Sequence, residues 1–259
     1  MKILAIGDNC IDHYVNRKLK YVGGCSVNFA VYMRQLGADS FYLGAVGNDE
    51  NGELVLKALE NKKVNVSRVH IMEGDTAVTE VDLVGNDRKF LDYREGVLKQ
   101  FQLNSDDDQF IREFDLIHTS VYGNIDEQLS GFSKNAVLCY DFGNKLDYIN
   151  KDCVLKAVQY AFFSYTNDDP FIRYYLKNAY SYGLKCAIAT LGENGSIAYD
   201  GTEFYRHGIR KVETVDTIGA GDSFIAGFMY AKMNEEDTLS CLKAGAAKAE
   251  ETIQHFGAF

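Results

Sequence analysis

The sequence predicts an α/β fold: a mainly parallel sheet with helices on both faces, plus a small antiparallel sheet standing off it. Two patterns predict this. Short, nearly continuous apolar runs at Ile3–Gly7, Leu116–Val121, Val137–Phe142, Tyr160–Tyr165 and Lys185–Leu191 alternate with helical stretches, as in strands buried on both faces. Between about residues 67 and 96 the pattern becomes period-two, with polar residues on one side, as in a half-exposed sheet. A chain of 259 residues can bury one large core, so residues 1–259 are expected to form a single domain, its small sheet drawn from about 13–22 and 67–96.

Composition narrows the partners. The hydrophobic share of 46% and charged share of 25% are those of a globular protein, and a net charge of −10 argues against nucleic acid, whose phosphates require clustered Lys and Arg. The six cysteines are dispersed, without C-x-x-C or zinc spacing, and read as reduced thiols, mostly buried. Met1–Asp8 carries too short an apolar run for a secretory signal, and no run approaches the roughly 18 apolar residues of a membrane span. The expected location is the cytoplasm, with no membrane partner.

Taken in order, Ile3–Gly7 delivers Asp8 and Asp12 just past a strand's carboxyl end, where open α/β sheets bind ligands. Tyr14–Val22 is too polar for a core strand and is assigned to the small sheet. Gly23 and Gly24 then open a helix to about Leu36, ended by Gly37. That start is either a plain capped helix or a place where a ligand comes close to backbone. Asn28 lies one turn in among apolar neighbours and needs a partner, which a sugar hydroxyl would supply. Ser40–Gly47 reads as a strand, followed by a helix to about Asn61. Val69–Met72, Thr76–Val84 and Arg88–Tyr93 read as strands of the small sheet, which is expected to close over a substrate and exclude water.

From Asp115 strands and helices alternate again. Asp169-Pro170 gives one helix a cap and a proline at its first position. Thr190–Ser196 ends a strand and leads into a hairpin of Ser196–Tyr199 with Glu203–Arg206; its glycines make either a turn alone or an open face for a nucleotide. Two apolar helices, about Asp222–Met233 and Thr238–Ile253, close the chain.

The stretch Val215–Phe224 reads as a strand end, a glycine turn and a helix starting near Gly221. Small residues at 219–221 let a ligand approach the backbone, and the helix start offers unpaired N–H groups and partial positive charge to an anion. A carboxylate at that mouth, Asp222, is either a simple cap or a base that takes a proton from a hydroxyl while the amides hold a phosphoryl group. The second reading is a kinase active site.

These sets occur in one order: Asp12; Gly23-Gly24 before Asn28; Gly47, Asp49 and Gly52; Thr190-Leu191-Gly192 with Gly195; and Asp216-Thr217 with Gly219-Ala220-Gly221-Asp222. In this the whole chain resembles the ribokinase-like (PfkB-type) carbohydrate kinases. Within that family it is most similar to the bacterial fructoselysine 6-kinases, through Ile6–Cys10, Asp92-Tyr93 with Glu95–Val97, Thr190–Ser196, Asp216–Phe228 and Thr252–Gln254.

The resemblance implies a three-layer sandwich with a β lid, and transfer of the γ-phosphoryl group of ATP, with Mg2+, to a sugar or fructosamine hydroxyl. It implies Asp222 as base, the amides of Gly219, Ala220 and Gly221 as anion hole, and Asp12, Gly24 and Asn28 as sugar contacts. Thr190, Gly192 and Gly195 would lie along the nucleotide, and Asp216 would face a monovalent cation such as K+. One departure stands out: the family's Asn-x-x-Glu motif is broken, since Pro170 comes three residues after Asn167, leaving Asp168 or Asp169 as substitutes. On the lid, Asp92, Arg94 and Glu95 either meet the substrate, Arg94 as a contact, or form a solvated face. Lid edges to be covered suggest a homodimer through the lids. Fructokinase is the alternative within the family, and an inactive sugar- or nucleotide-binding protein the alternative outside it. A hydride-transfer enzyme fits worse, because no G-x-G-x-x-G follows the first strand.

Overall fold

A computed structural model describes the chain except residues 18, 85–86 and 133–135, and gives the backbone alone at 83–84 and 87–90. The first part holds β1 (Lys2–Ile6), β2 (Cys10–Tyr14), β3 (Leu19–Gly23), α1 (Cys25–Gln35), β4 (Asp39–Leu43), β5 (Ala45–Gly47) and α2 (Glu50–Asn61). Next come β6 (His70–Met72), β7 (Val78–Val84), β8 (Asp87–Arg94), α3 (Ser105–Ile111), β9 (Leu116–Ser120) and β10 (Val137–Asp141). The last part holds α4 (Lys151–Ala157), β11 (Tyr160–Ser164), α5 (Pro170–Tyr180), β12 (Cys186–Thr190), β13 (Ser196–Tyr199), β14 (Phe204–His207), α6 (Ala220–Met233) and α7 (Thr238–Thr252).

The main sheet has eight strands in the order β14-β13-β12-β11-β10-β9-β1-β4, parallel from β12 to β4 and antiparallel at the β12–β13–β14 edge. Alternate residues of its strands feed two separate cores, as a period of two requires. Ile3, Ala5, Phe162 and Ile188 meet α1, α2, α6 and α7 through Phe29, Val55, Phe228 and Leu242. Leu4, Ile6, Phe163 and Ala189 meet α3, α4 and α5 through Ile111, Leu155 and Leu176. The result is a three-layer α/β/α sandwich in which the carboxyl ends of β1, β9, β10, β11 and β12 share one edge.

Several helix starts match their sequence signals. The Asp49 side chain accepts from Gly52 N at 2.8 Å to cap α2, and Asp237 accepts from Ser240 N at 2.8 Å to cap α7. Asp169 accepts from Ile172 N at 3.0 Å, with Pro170 at the first helical position of α5.

The small sheet has the order β3-β2-β7-β8, with β2–β3 and β7–β8 antiparallel and β2–β7 parallel. Four expectations need correction. Tyr14–Val22 is not one strand: β2 and β3 form a hairpin that reaches back to Cys10. Val69–Met72 does not join the small sheet, because its strand β6 pairs in parallel with β5; Ser40–Gly47 breaks at Gly44, and the detached β5 supplies that partner. The run before Gly219 is not a strand end either. Residues 211–217 have no sheet neighbour, and Val215 N and Asp216 N instead donate to Ile253 O at 2.8 and 3.2 Å, tying the loop to the end of α7. Among the described residues, a short 3-10 turn at Asp126–Gly131 stands between β9 and β10 where an α-helix was expected.

Candidate active site

Two helices, α1 and α6, start at the same edge of the main sheet, and neither is capped by a side chain at its own N-cap, Gly24 or Gly219. Their starts are satisfied differently. Asp8, just past β1, spans the start of α1: its carboxylate accepts from Cys25 N at 2.6 Å, Ser26 N at 3.2 Å and Ser26 Oγ at 2.9 Å, with Ser120 Oγ at 3.2 Å. An anion of the protein's own therefore fills that N-terminus. Among the described residues the start of α6 has no such carboxylate cap, and helix starts of this kind suit an anion.

Gly24 and Gly219 are required by the chain itself. Gly24 has φ of +111°, and a Cβ there would sit 2.6 Å from Asn9 Cα. Gly219 has φ of +72°, and a Cβ would run into the Tyr32 hydroxyl. The Tyr32 hydroxyl in turn donates to Ala258 O. Around Gly221 a Cβ would meet nothing within 4 Å, so that position is open toward the cleft. The Ala220 amide makes a long bond of 3.3 Å to Thr217 O, a weak competitor for a ligand.

Asp222, in the first turn of α6, is 8% exposed and makes no cap bond; one oxygen accepts from Asn28 Nδ2 on α1 at 2.7 Å. The simple-cap reading is thereby excluded. Burial first, then the Asp141 and Asp8 charges, push its carboxyl up to about 8, while hydrogen bonds from Asn28 and Cys25 pull it back. Asp141, at the end of β10, is pushed up to about 6, chiefly by burial, and accepts from Gly143 N at 2.7 Å. Asn28 itself is 4% exposed, and its Oδ1 has no partner among the described residues. A hydroxyl donor is the ordinary remedy for such an oxygen.

Asp216 lies under the loop. Its Oδ1 accepts from Ile218 N at 2.9 Å and its Oδ2 from Gly257 N at 3.0 Å. Both oxygens thus hold backbone, binding the glycine turn to the C-terminal residues. Across the sheet, Thr190 ends β12 half-buried, its hydroxyl 3.4 Å from Ser164 Oγ. Gly192 is open, with nothing within 4 Å of a Cβ, whereas Gly195 is held in the turn under β14, where a Cβ would collide with His207 O. Neither substitute for the broken Asn-x-x-Glu motif stands free. Asp168 is bound in two places by Arg173, at 2.6 and 2.7 Å, and Asp169 is occupied as the α5 cap.

From the small sheet, Asp12 pairs in register with Thr79, and Thr79 with Tyr93, so these three share one face. That face meets the cleft: burial and then the Asp8 charge push the Tyr93 phenol up, and the Tyr122 phenol after β9 is pushed up by burial, Cys25, Asp141 and Asp8. Arg94, the next residue after Tyr93, points from the opposite face and pairs with Glu80 at 3.0 Å. Of the two readings of Arg94, substrate contact or solvated face, this exposed pair matches the solvated face. Asp141 and Tyr122 escaped the sequence reading, and Tyr93 entered it only within a strand and a matching stretch, with no role. Asp141 carried a usable signal, since it ends a buried-type strand as Asp8 follows one.

Solved structures of the same architecture are sugar and nucleoside kinases. The chain superimposes over 99% of its length, and 93% of the other, on a ribokinase of Arabidopsis thaliana complexed with ribose and ATP, with a TM-score of 0.89 at 20% identity. A ribokinase of Thermotoga maritima gives a TM-score of 0.82 at 18% identity, covering 100% of this chain and 94% of that one. The description of the pfkB family carbohydrate kinases matches residues 6–138 and 170–259. The chain is 37% identical over 263 residues, covering all of both, to a fructoselysine 6-kinase of Escherichia coli. It is 34% identical to a fructosamine kinase of Bacillus subtilis, covering all of this chain and 93% of that one. The chain belongs to the pfkB family of carbohydrate kinases, phosphotransferases that use ATP and act on sugar hydroxyls.

Proposed function

We propose that this chain phosphorylates a fructosamine, fructoselysine above all, at a sugar hydroxyl. The observation that carries the reading is the contrast at the cleft edge: α1 is closed by Asp8, while α6 is open beside the buried carboxylate of Asp222. Asp222 takes the hydroxyl proton as the oxygen attacks the γ-phosphorus of ATP and the bond to the departing ADP breaks, and the Gly219, Ala220 and Gly221 amides hold the phosphoryl oxygens. Asn28 Oδ1 accepts from a sugar hydroxyl, with Asp12 and the Gly24 backbone beside it. Thr190, Gly192 and Gly195 border the adenine nucleotide.

Mg2+ travels with ATP and supplies neutralisation of the β- and γ-phosphate charge. Asp141 fits a hard cation: it is an oxygen donor, 9% exposed, holding one amide bond and crowded by carboxylates rather than cations. A monovalent cation such as K+ would lie by the Asp216 loop, where the carboxylate keeps the backbone in place. The small sheet acts as a lid over the sugar. Its exposed Val15, Leu19 and Leu91 are the apolar surface through which two copies would pair.

Specificity for a fructosamine rests on the cleft's charge. Asp8, Asp12, Asp141 and Asp222 gather there with the rings of Tyr93 and Tyr122, surroundings that favour a cationic secondary amine. A coupled assay of ADP release with fructoselysine, fructose, ribose and tagatose tests it. The highest kcat/KM is expected for fructoselysine; a wide margin for fructose makes the chain a fructokinase, and no sugar-dependent ADP release makes it a binding protein.

A further inference from the structure

We infer that the catalytic cleft holds a thiophilic metal site, made by Cys25, Asp141 and Asp222 and sharing Asp141 with the hard-cation position, at which Zn2+ or Cd2+ arrests the enzyme. Among the described residues these three are the one group of His, Cys, Asp and Glu placed to share an ion, their ligand atoms all within 4.8 Å of one another. Three elements supply them: the first residue of α1, the last of β10 and the first turn of α6. The site is thus assembled by the fold and not by one loop.

Neighbouring ligands on a tetrahedral zinc lie roughly 3.3–3.8 Å apart, given Zn–S near 2.3 Å and Zn–O near 2.0–2.2 Å. The three atoms need to close by at most about 1.5 Å, within the reach of side-chain rotation.

A second observation points the same way. Asn28 Nδ2 is fixed 2.7 Å from Asp222, which brings its other amide atom, the partnerless Oδ1, beside the same carboxylate. At 4% exposure that oxygen lacks ready solvent, and in the sugar-free protein it is available as a fourth donor for an ion.

The donor set separates metals by chemistry. A thiolate with two carboxylates suits Zn2+ and Cd2+, whereas Mg2+ demands six oxygens and keeps several waters. Binding converts the Cys25 thiol to thiolate and displaces any proton held by the Asp222 or Asp141 carboxyl, these protons all passing to solvent, so that three negative ligands face a divalent charge. With Asp222 coordinated, no base remains for the acceptor hydroxyl. The arrest therefore rests on Asp222 as base; the binding does not.

Metal binding is read on the nucleotide-free protein, since ATP itself chelates. In a Cys153→Ser background, which removes the exposed thiol, Cd2+ titration should give one thiolate-to-metal absorption band saturating at one ion per chain. Cys25→Ser should abolish that band, and Asp141→Asn should weaken binding on the order of 10-fold or more. In the unmutated protein, Cd2+ should shield Cys25 from iodoacetamide, read by peptide mass spectrometry, with no need for any variant to fold. Sugar-kinase activity should fall with Cd2+ and return with chelator, each variant scaled to its own chelator-treated rate. A band that survives Cys25→Ser, or a Cys25 labelled equally with and without Cd2+, overturns the site. Shielding of Cys25 with undiminished turnover keeps the site and overturns the role of Asp222.

Discussion

The floor of the cleft and the sheet above it are built on opposite terms. On the floor, β1 and β9 are buried almost throughout, and the carboxylates at their edge are fixed by amides and hydroxyls: Asp8 by two backbone N–H groups and two serines, Asp141 by Gly143, Asp222 by Asn28. In the small sheet, β3 is exposed at its outer end and residues 91–95 lie open, with Arg94 and Glu80 paired at the surface. A reaction that must place phosphorus against oxygen needs the first kind of region. Choosing among sugars, and closing over them, suits the second. The contrast teaches that mutations on the floor should cost turnover, and those on the sheet should cost affinity.

The largest effect expected is from Asp222→Asn. Loss of the base should lower kcat by about 10²–10⁴-fold while ATP and sugar still bind, measured by steady-state kinetics beside calorimetry. The same variant should melt higher than the parent at alkaline pH. A carboxyl raised to about 8 in the folded chain, against 3.8 when unfolded, keeps a proton that the unfolded chain has released. Stability then falls as pH rises between those values, and removing the charge removes the fall. Thermal melts at pH 5 and pH 9 read this directly.

Gly219→Ala comes next. The left-handed backbone alone costs roughly 1–2 kcal/mol, and the new Cβ meets Tyr32, so both melting temperature and kcat should drop. A change confined to the sugar KM would place the loop with the lid instead.

Asp141→Asn should leave Asp222 with one fewer repelling charge. Its pKa falls, and the acid limb of kcat/KM moves to lower pH, with Asp8, Asn28 and Cys25 still around it. An unmoved limb would separate Asp141 from the base electrostatically.

On the sheet, Tyr93→Ala should raise the sugar KM about 10-fold with little change in kcat. Arg94→Ala should do least. Its exposed pair with Glu80 is worth about 0–1 kcal/mol, and it faces away from the cleft. A large rise in sugar KM for Arg94→Ala would reverse the assignment of the two faces.

Much of this was legible in the residues. Continuous apolar runs gave the buried parallel strands, the Asp169-Pro170 pair gave the start of α5, and the small residues before Asp222 gave the open helix. What escaped depends on tertiary partners. Period-two alternation marked Val69–Met72 as a strand but could not say that β5, detached at Gly44, would be its neighbour. Arg94 and Tyr93 are adjacent in sequence, and only the pairing of Thr79 with Tyr93 decides which of them faces the cleft. The role of Asp216 was hidden for the same reason, because Gly257, which occupies one of its oxygens, lies 41 residues away.

The most direct measurement is a crystal structure with a non-hydrolysable ATP analogue and fructoselysine. The terminal phosphate is expected on the amides of Gly219–Gly221 and the acceptor hydroxyl within hydrogen-bond reach of Asp222. A triphosphate lodged elsewhere, or a sugar whose hydroxyls all lie beyond reach of that carboxylate, would contradict it.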